Sequence, residues 1–207
     1  MTYLLIMLKA ANLLLSGKEL QLVSDESWIV MKEGILQKVA HLFGQLPSVI
    51  VDAIKPNLPD FDLMSIHSPK ISRGERYKGL PYLILDYPRE FGKDDVFAIR
   101  TMFWWAHDFS IHLHLAGEFR KRFEEKLVKN ISVDPAGFHL CIHEDPWQHE
   151  VNSENYISVS DAGLQRSTEI LRGHPFIKIT ITIPLNKWNY LDTELMNGYR
   201  KMCGLFA

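Results

Sequence analysis

Between Pro81 and Pro184 the chain repeatedly alternates apolar and polar residues, the two-residue period of half-buried β-strands. Val96 to Trp105 carries two rows. One is Phe97, Ile99, Thr101, Phe103 and Trp105; the other is Val96, Ala98, Arg100, Met102 and Trp104. Burying an unpaired guanidinium is costly, so the Phe97 row is expected to face the core. After a connector short enough for a hairpin, Ile111, Leu113 and Leu115 alternate with Ser110, His112 and His114, which puts both imidazoles on the face opposite the core. Tyr82 to Tyr87 is a β-branched and aromatic run that Pro88 should end or confine to an edge. Phe138 to His143 sets His139, Cys141 and His143 against Phe138, Leu140 and Ile142, and a further strand starts at Tyr156. Phe176 to Pro184 sets Ile177, Ile179, Ile181 and Ile183 against Lys178, Thr180 and Thr182.

Helical periodicity flanks this region. An apolar helix is expected over Thr2–Ser16 with Gly17 as its stop. A second helix, capped by Ser24-Asp25-Glu26, carries Trp28, Ile35, Val39, Leu42, Phe43 and Leu46 at helical spacing and should end at Pro47. Phe119, Phe123 and Leu127 mark an amphipathic helix after the histidines, and Leu195, Tyr199 and Met202 mark a last one from about Leu191 to Cys203. Residues 49–80 are the least regular part and end in a basic run, Lys70 to Gly79, whose Arg73, Arg76 and Lys78 are candidates for clamping an anion. Leu164 to Gly173 fits either a short helix or a broken strand.

The predicted fold class is α+β: N-terminal helices, then a mostly antiparallel sheet of five or six strands with helices on one face, and a C-terminal helix. The expected organisation is one domain over 1–207, with a helical part over 1–47, a sheet core over 81–184 and a terminal helix over 191–203.

Composition narrows the function classes. A net charge of −2, from 23 basic and 25 acidic residues, leaves no electrostatic footprint for a nucleic-acid partner. Two cysteines, Cys141 and Cys203, make no disulfide framework and point to a reducing, cytoplasmic setting. The apolar N-terminal run lacks a basic leader region and is too short to span a membrane. There is no G-x-S-x-G elbow, no phosphate-binding G-x-x-x-x-G-K-[ST], no H-E-x-x-H and no C-x-x-C, so no catalytic residue and no cofactor are assigned from motifs.

Three readings remain. In the first, Asp86, Arg100, Trp104, His112 and His114 line a small-molecule or anion site on an open sheet face. Arg beside Trp suits an anionic or planar ligand, and His can act as acid or base near neutral pH. The plainer reading of the same residues is that Arg100 pairs with Asp86 across neighbouring strands. In the second, His112, His114, His139 and His143 bind a divalent metal in an enzyme, since neutral imidazoles suit zinc and related ions. In the third, the chain is a structural or partner-binding subunit, acting through aromatics such as Trp147 and Trp188 or as a homo-oligomer.

One resemblance bears on the second reading. His112-Leu113-His114-Leu115-Ala116-Gly117-Glu118 resembles the H-x-H-x3-E portion of the first cupin motif, and Pro135-Ala136-Gly137-Phe138-His139 loosely resembles the second. The resemblance implies a divalent metal in a β-barrel, held by His112, His114, Glu118 and His139. The two glycines that bracket the first cupin motif are here Ala106 and Glu125, and the segment after Glu118 carries helical spacing where a cupin continues in strands.

Overall fold

The computed structural model describes residues 13–59 and 67–207. These fall into two compact units, one up to Val39 and one from Ala40 to the end. In the first, helix α1 spans Gly17–Val23. Ser16 caps it, its hydroxyl accepting from Glu19 N at 3.2 Å while the Glu19 carboxylate accepts from Ser16 N at 2.7 Å. This capping box satisfies two otherwise orphaned N–H groups, so Gly17 starts a helix where a stop was expected. Leu13 to Ser16 are not helical, and the rest of the expected 2–16 helix lies outside the described residues. Leu13, Leu14, Leu15, Leu20, Leu22, Val23 and Trp28 to Met31 are all exposed.

Helix α2 spans Glu26–Ile54 and runs through Pro47, which was expected to end it. Leu46, Ile50 and Ile54 continue the buried row begun by Phe43, and Phe43 meets Phe109 edge-on at 6.4 Å. Burial of that row outweighs the one hydrogen bond that proline forfeits.

The second unit is built on seven strands: β1 Lys70–Tyr77, β2 Leu80–Phe91, β3 Val96–Trp104, β4 Asp108–Ala116, β5 His139–Cys141, β6 Tyr156–Ser158 and β7 Phe176–Pro184. Their order is β1-β2-β3-β4-β7-β5-β6, with every pairing antiparallel. With helices α3 (Gly117–Val133), α4 (Val159–Gly173) and α5 (Leu191–Gly204), the chain is α+β. The strand beyond the expected six is β1, made from the basic run taken for irregular loop. Its charged side chains suit an edge strand. There Arg73 pairs with Glu75 at 2.7 Å. β2 likewise continues past Pro88 to Phe91, because a register shift between Asp86 and Arg89 takes the proline out of the ladder.

Phe97, Ile99, Thr101 and Phe103 face the helices, as expected. The Phe97 ring lies 5.5 Å from Phe119, 6.0 Å from Phe123 and 5.9 Å from Phe206. Gly198 lets α5 rest directly on β4, since a Cβ there would stand 2.7 Å from Ile111 Cδ1. Gly117 turns β4 into α3 at φ 58°, and its amide neighbour Glu118 N donates to Asp95 Oδ1 at 2.8 Å. The ambiguous stretch before β7 is helix α4, bent where Gly163 takes φ 72°.

The opposite face carries a polar row in register: Asp86, Arg100, His112, Thr180, His139 and Ser158. Beside it runs Ala98, His114 and Lys178. That face is not open as expected, because the segment 144–155 folds over it. No helix among the described residues is long and apolar enough to cross a membrane.

Candidate functional site

Arg100 on β3, His112 and His114 on β4 and Lys178 on β7 share one face because each sits at an alternate position of its strand. The 144–155 segment adds His149, Trp147 and Pro146 from above, and together these residues line one small cavity. Its volume is about 10 Å³, the lower limit for a single water. Lys178 is only 3% exposed and His112 1%, while the Trp147 roof is 49% exposed.

The buried polar groups here have polar partners among the described residues, apart from His114, which packs edge-on against Trp147 at 5.9 Å and Phe176 at 5.6 Å. Arg100 makes a two-pronged contact with Asp86, 2.7 Å to Oδ1 and 3.0 Å to Oδ2. The cross-strand pair foreseen as the plainer reading is therefore present, and it serves as the fixed charge pair of the site. Trp147 covers the guanidinium at 5.2 Å. His112 Nδ1 lies 2.7 Å from Thr180 Oγ1 and its Nε2 lies 2.9 Å from Ser110 Oγ. The covering segment is tied down from the side as well: the Tyr77 hydroxyl accepts from His149 N at 2.8 Å, Tyr156 donates to Gln148 O at 2.8 Å, and Lys78 pairs with Glu150.

His149 joins the two strongest bases, and its hydrogen bonds fix a proton count. Arginine only donates, so Arg100 Nη1 gives a hydrogen to His149 Nε2, 2.9 Å away. A neutral His149 then carries its own hydrogen on Nδ1, which stands 3.1 Å from Lys178 Nζ. Nζ also lies 2.6 Å from Pro146 O and 2.5 Å from Gln148 O, both acceptors. An amine with two hydrogens and one lone pair matches two carbonyls and one N–H. An ammonium would point its third hydrogen at Nδ1–H. This donor–acceptor count suits a neutral lysine.

Electrostatics agree with this count. Burial lowers the Lys178 ammonium to about 7, and the Arg100 charge works in the same direction. Burial holds His112 and His149 well below the ordinary imidazole range, helped by the charges of Lys178 and Arg100. His114 falls to about 4, again mainly by burial. The resting site thus holds neutral imidazoles and a lysine that titrates near 7 beside one compensated charge pair.

The remaining nominated residues lie elsewhere. Trp104 is buried four residues along β3 from Arg100, in a separate cluster with Ile84 and Met102; its Nε1 donates to Tyr77 O at 3.2 Å and its ring stacks on His107 at 3.4 Å. His139 shares the lateral row of His112, but β7 stands between their strands. Its Nδ1 is buried without a partner, and the residue borders a different groove of about 420 Å³ lined also by Asp161 and Arg166. His143 has left the strand and accepts from Asp145 N at 2.9 Å. The four histidines named as metal ligands therefore do not converge. Among the described residues no group of three or more His, Cys, Asp or Glu is placed to hold a metal ion. Glu118 is exposed on α3 and paired with Lys121, and the sheet is open, with β1 and β6 at its edges, where a cupin would close a barrel.

Sequence reasoning misses Lys178, Thr180 and His149, and names Trp147 only as an aromatic for partner contact. Alternation already put Lys178 and Thr180 on the polar side of their strand; the missing information was that β7 inserts beside β4. Comparison of the chain with protein-family models, curated proteins and solved structures gives no match. The site has to be read from its own chemistry.

Proposed function

We propose that this cluster binds a small oxyanion, a carboxylate or its inorganic equivalent, and takes up a proton as it does so. One observation carries the reading: five basic side chains, Arg100, His112, His114, His149 and Lys178, surround one cavity, while Asp86 is the one carboxylate hydrogen-bonded to them among the described residues. An entering anion replaces Trp147 over the guanidinium and restores a proton to Lys178 or a neighbouring imidazole. Two buried thiols, Cys141 and Cys203, support placing this activity in a reducing, cytoplasmic setting, and the net charge of −2 supports a small ligand over a nucleic acid. Coupling to one proton makes the affinity fall by up to about tenfold per pH unit above 7. Acetate and sulfate at constant ionic strength should raise the melting temperature more at pH 6 than at pH 8, and Lys178→Met should remove that difference. An equal response of wild type and variant at both pH values would overturn the reading.

A second observation supports self-association. The exposed apolar side chains between Leu13 and Met31 form the kind of surface that monomers rarely leave uncovered. Light scattering should report a dimer or larger assembly, reduced to monomer by Leu20→Glu with Val30→Glu. A monomeric wild type would contradict it.

A further inference from the structure

The chemistry of Lys178 goes further than electrostatic binding. We infer that Lys178 is an imine-forming nucleophile for a small 2-oxo acid held between it and Arg100. This rests on the oxyanion reading above and names its ligand class.

The geometry comes from His149. Its imidazole is wedged between the two bases, accepting from Arg100 through Nε2 at 2.9 Å and reaching the Lys178 amine through Nδ1 at 3.1 Å. Those two ring atoms are separated by one carbon. In a 2-oxo acid, a carboxylate oxygen and the electrophilic keto carbon are likewise separated by one carbon. A 2-oxo acid that takes the place of the ring therefore sets its carboxylate on Arg100 and its keto carbon on Nζ. His149 belongs to the 144–155 segment and not to the sheet, so one movement of that segment both vacates the space and removes the carbonyls of Pro146 and Gln148 that now occupy the amine hydrogens. The amine left behind is still flanked by the Arg100 cation, and its lone pair is available in the neutral fraction present near pH 7. Burial keeps the ammonium near 7, which is consistent with that state near neutral pH.

The step balances without an oxidant or a second reactant. The Nζ lone pair forms a bond to the keto carbon, and the carbonyl π pair moves to oxygen, which is protonated to give a carbinolamine. The two amine hydrogens and the keto oxygen then leave as water, and a C=N bond remains. His112, held between Thr180 and Ser110, is the neighbouring imidazole that can relay these protons within the pocket.

The test is reductive trapping on the full chain with glyoxylate or pyruvate and cyanoborohydride at pH 7, followed by peptide mapping. Lys178 should carry the adduct at least tenfold above the exposed lysines Lys121 and Lys187, and a thermal-shift assay on the same samples reads binding separately. Stabilisation by pyruvate equal to that by acetate, with no enrichment at Lys178, overturns the imine while leaving oxyanion binding in place. No stabilisation by any of them and no enrichment removes both. The map is read on wild type, so the result stands even where Lys178→Met folds poorly. His149→Ala, which opens the wedge, should trap faster than wild type at a pH high enough for the amine to be neutral in both; slower trapping there counts against the ring occupying the ligand's place.

Discussion

Lys178 sets the behaviour of the site at the scale of single residues. Its folded value of about 7 lies below the ordinary 10.5, so between those two pH values the unfolded chain binds more protons than the folded one. Stability therefore rises with pH across that window, and is lowest for this group below 7, where both states are charged. The three imidazoles act the same way at lower pH: His114, at about 4 against 6.5, lowers stability as pH falls through that interval. Asp108 opposes them in part, since burial raises it to about 6 and the folded state then binds the extra proton. Chemical denaturation as a function of pH should show stability climbing from pH 4 into the mildly alkaline range, and Lys178→Met should flatten the climb above pH 7. Asp86→Ala leaves the mostly buried Arg100 guanidinium without its counter-ion and should cost about 3 kcal/mol, the low end for a buried pair, whereas breaking an exposed ion pair such as Lys121 with Glu118 should cost far less. Gly117→Ala should cost about 1–3 kcal/mol or more, because its φ is positive and a Cβ would meet Asp95 Oδ1 at 2.1 Å.

At the scale of elements, the decisive one is the 144–155 segment. It has no regular structure of its own and is held by side chains that the sheet offers it: Lys178, Tyr77, Tyr156 and Arg100. Trp147→Ala should remove the roof of Arg100 while leaving the fold, and so speed exchange at the 144–155 amides without changing those of β4. Equal protection in variant and wild type would show that the roof does not hold the segment. This element also marks the limit of what the sequence discloses. Period-two alternation located β3, β4 and β7 and named the face of every side chain on them, because each strand has one oily row against the helices. The same alternation says nothing of which strand lies beside which, so His112 was grouped with His139 when its true neighbour is the β7 pair Thr180 and Lys178. Polar stretches such as Glu144–Asn155 carry no period at all, so the place of Trp147 and His149 in this site became visible only with the fold. Pro47 and Pro88 misled for a related reason: a local rule about proline was overridden by a buried apolar row in one case and by a register shift in the other.

At the scale of the molecule, the helices and the covering segment divide the sheet between them. One face is a packed apolar core in which Thr101 and Tyr199 are mutually hydrogen-bonded; the other is a polar face sealed by a loop. A sheet that holds Arg100, Lys178, His112 and His114 under a covering segment has a stability cost on that face which the apolar face must offset. Proteins tolerate such costs at functional sites, and here the cost is concentrated on the proton that Lys178 lacks. The most direct measurement is the titration of Lys178 itself, followed by NMR of the labelled side-chain Cε and Nζ in the intact protein and assigned with Lys178→Met. Titration near 7, moving upward when His149 is replaced by alanine, is the predicted result. Titration near 10.5 would contradict the account, since a lysine charged at neutral pH can neither accept from His149 nor attack a carbonyl.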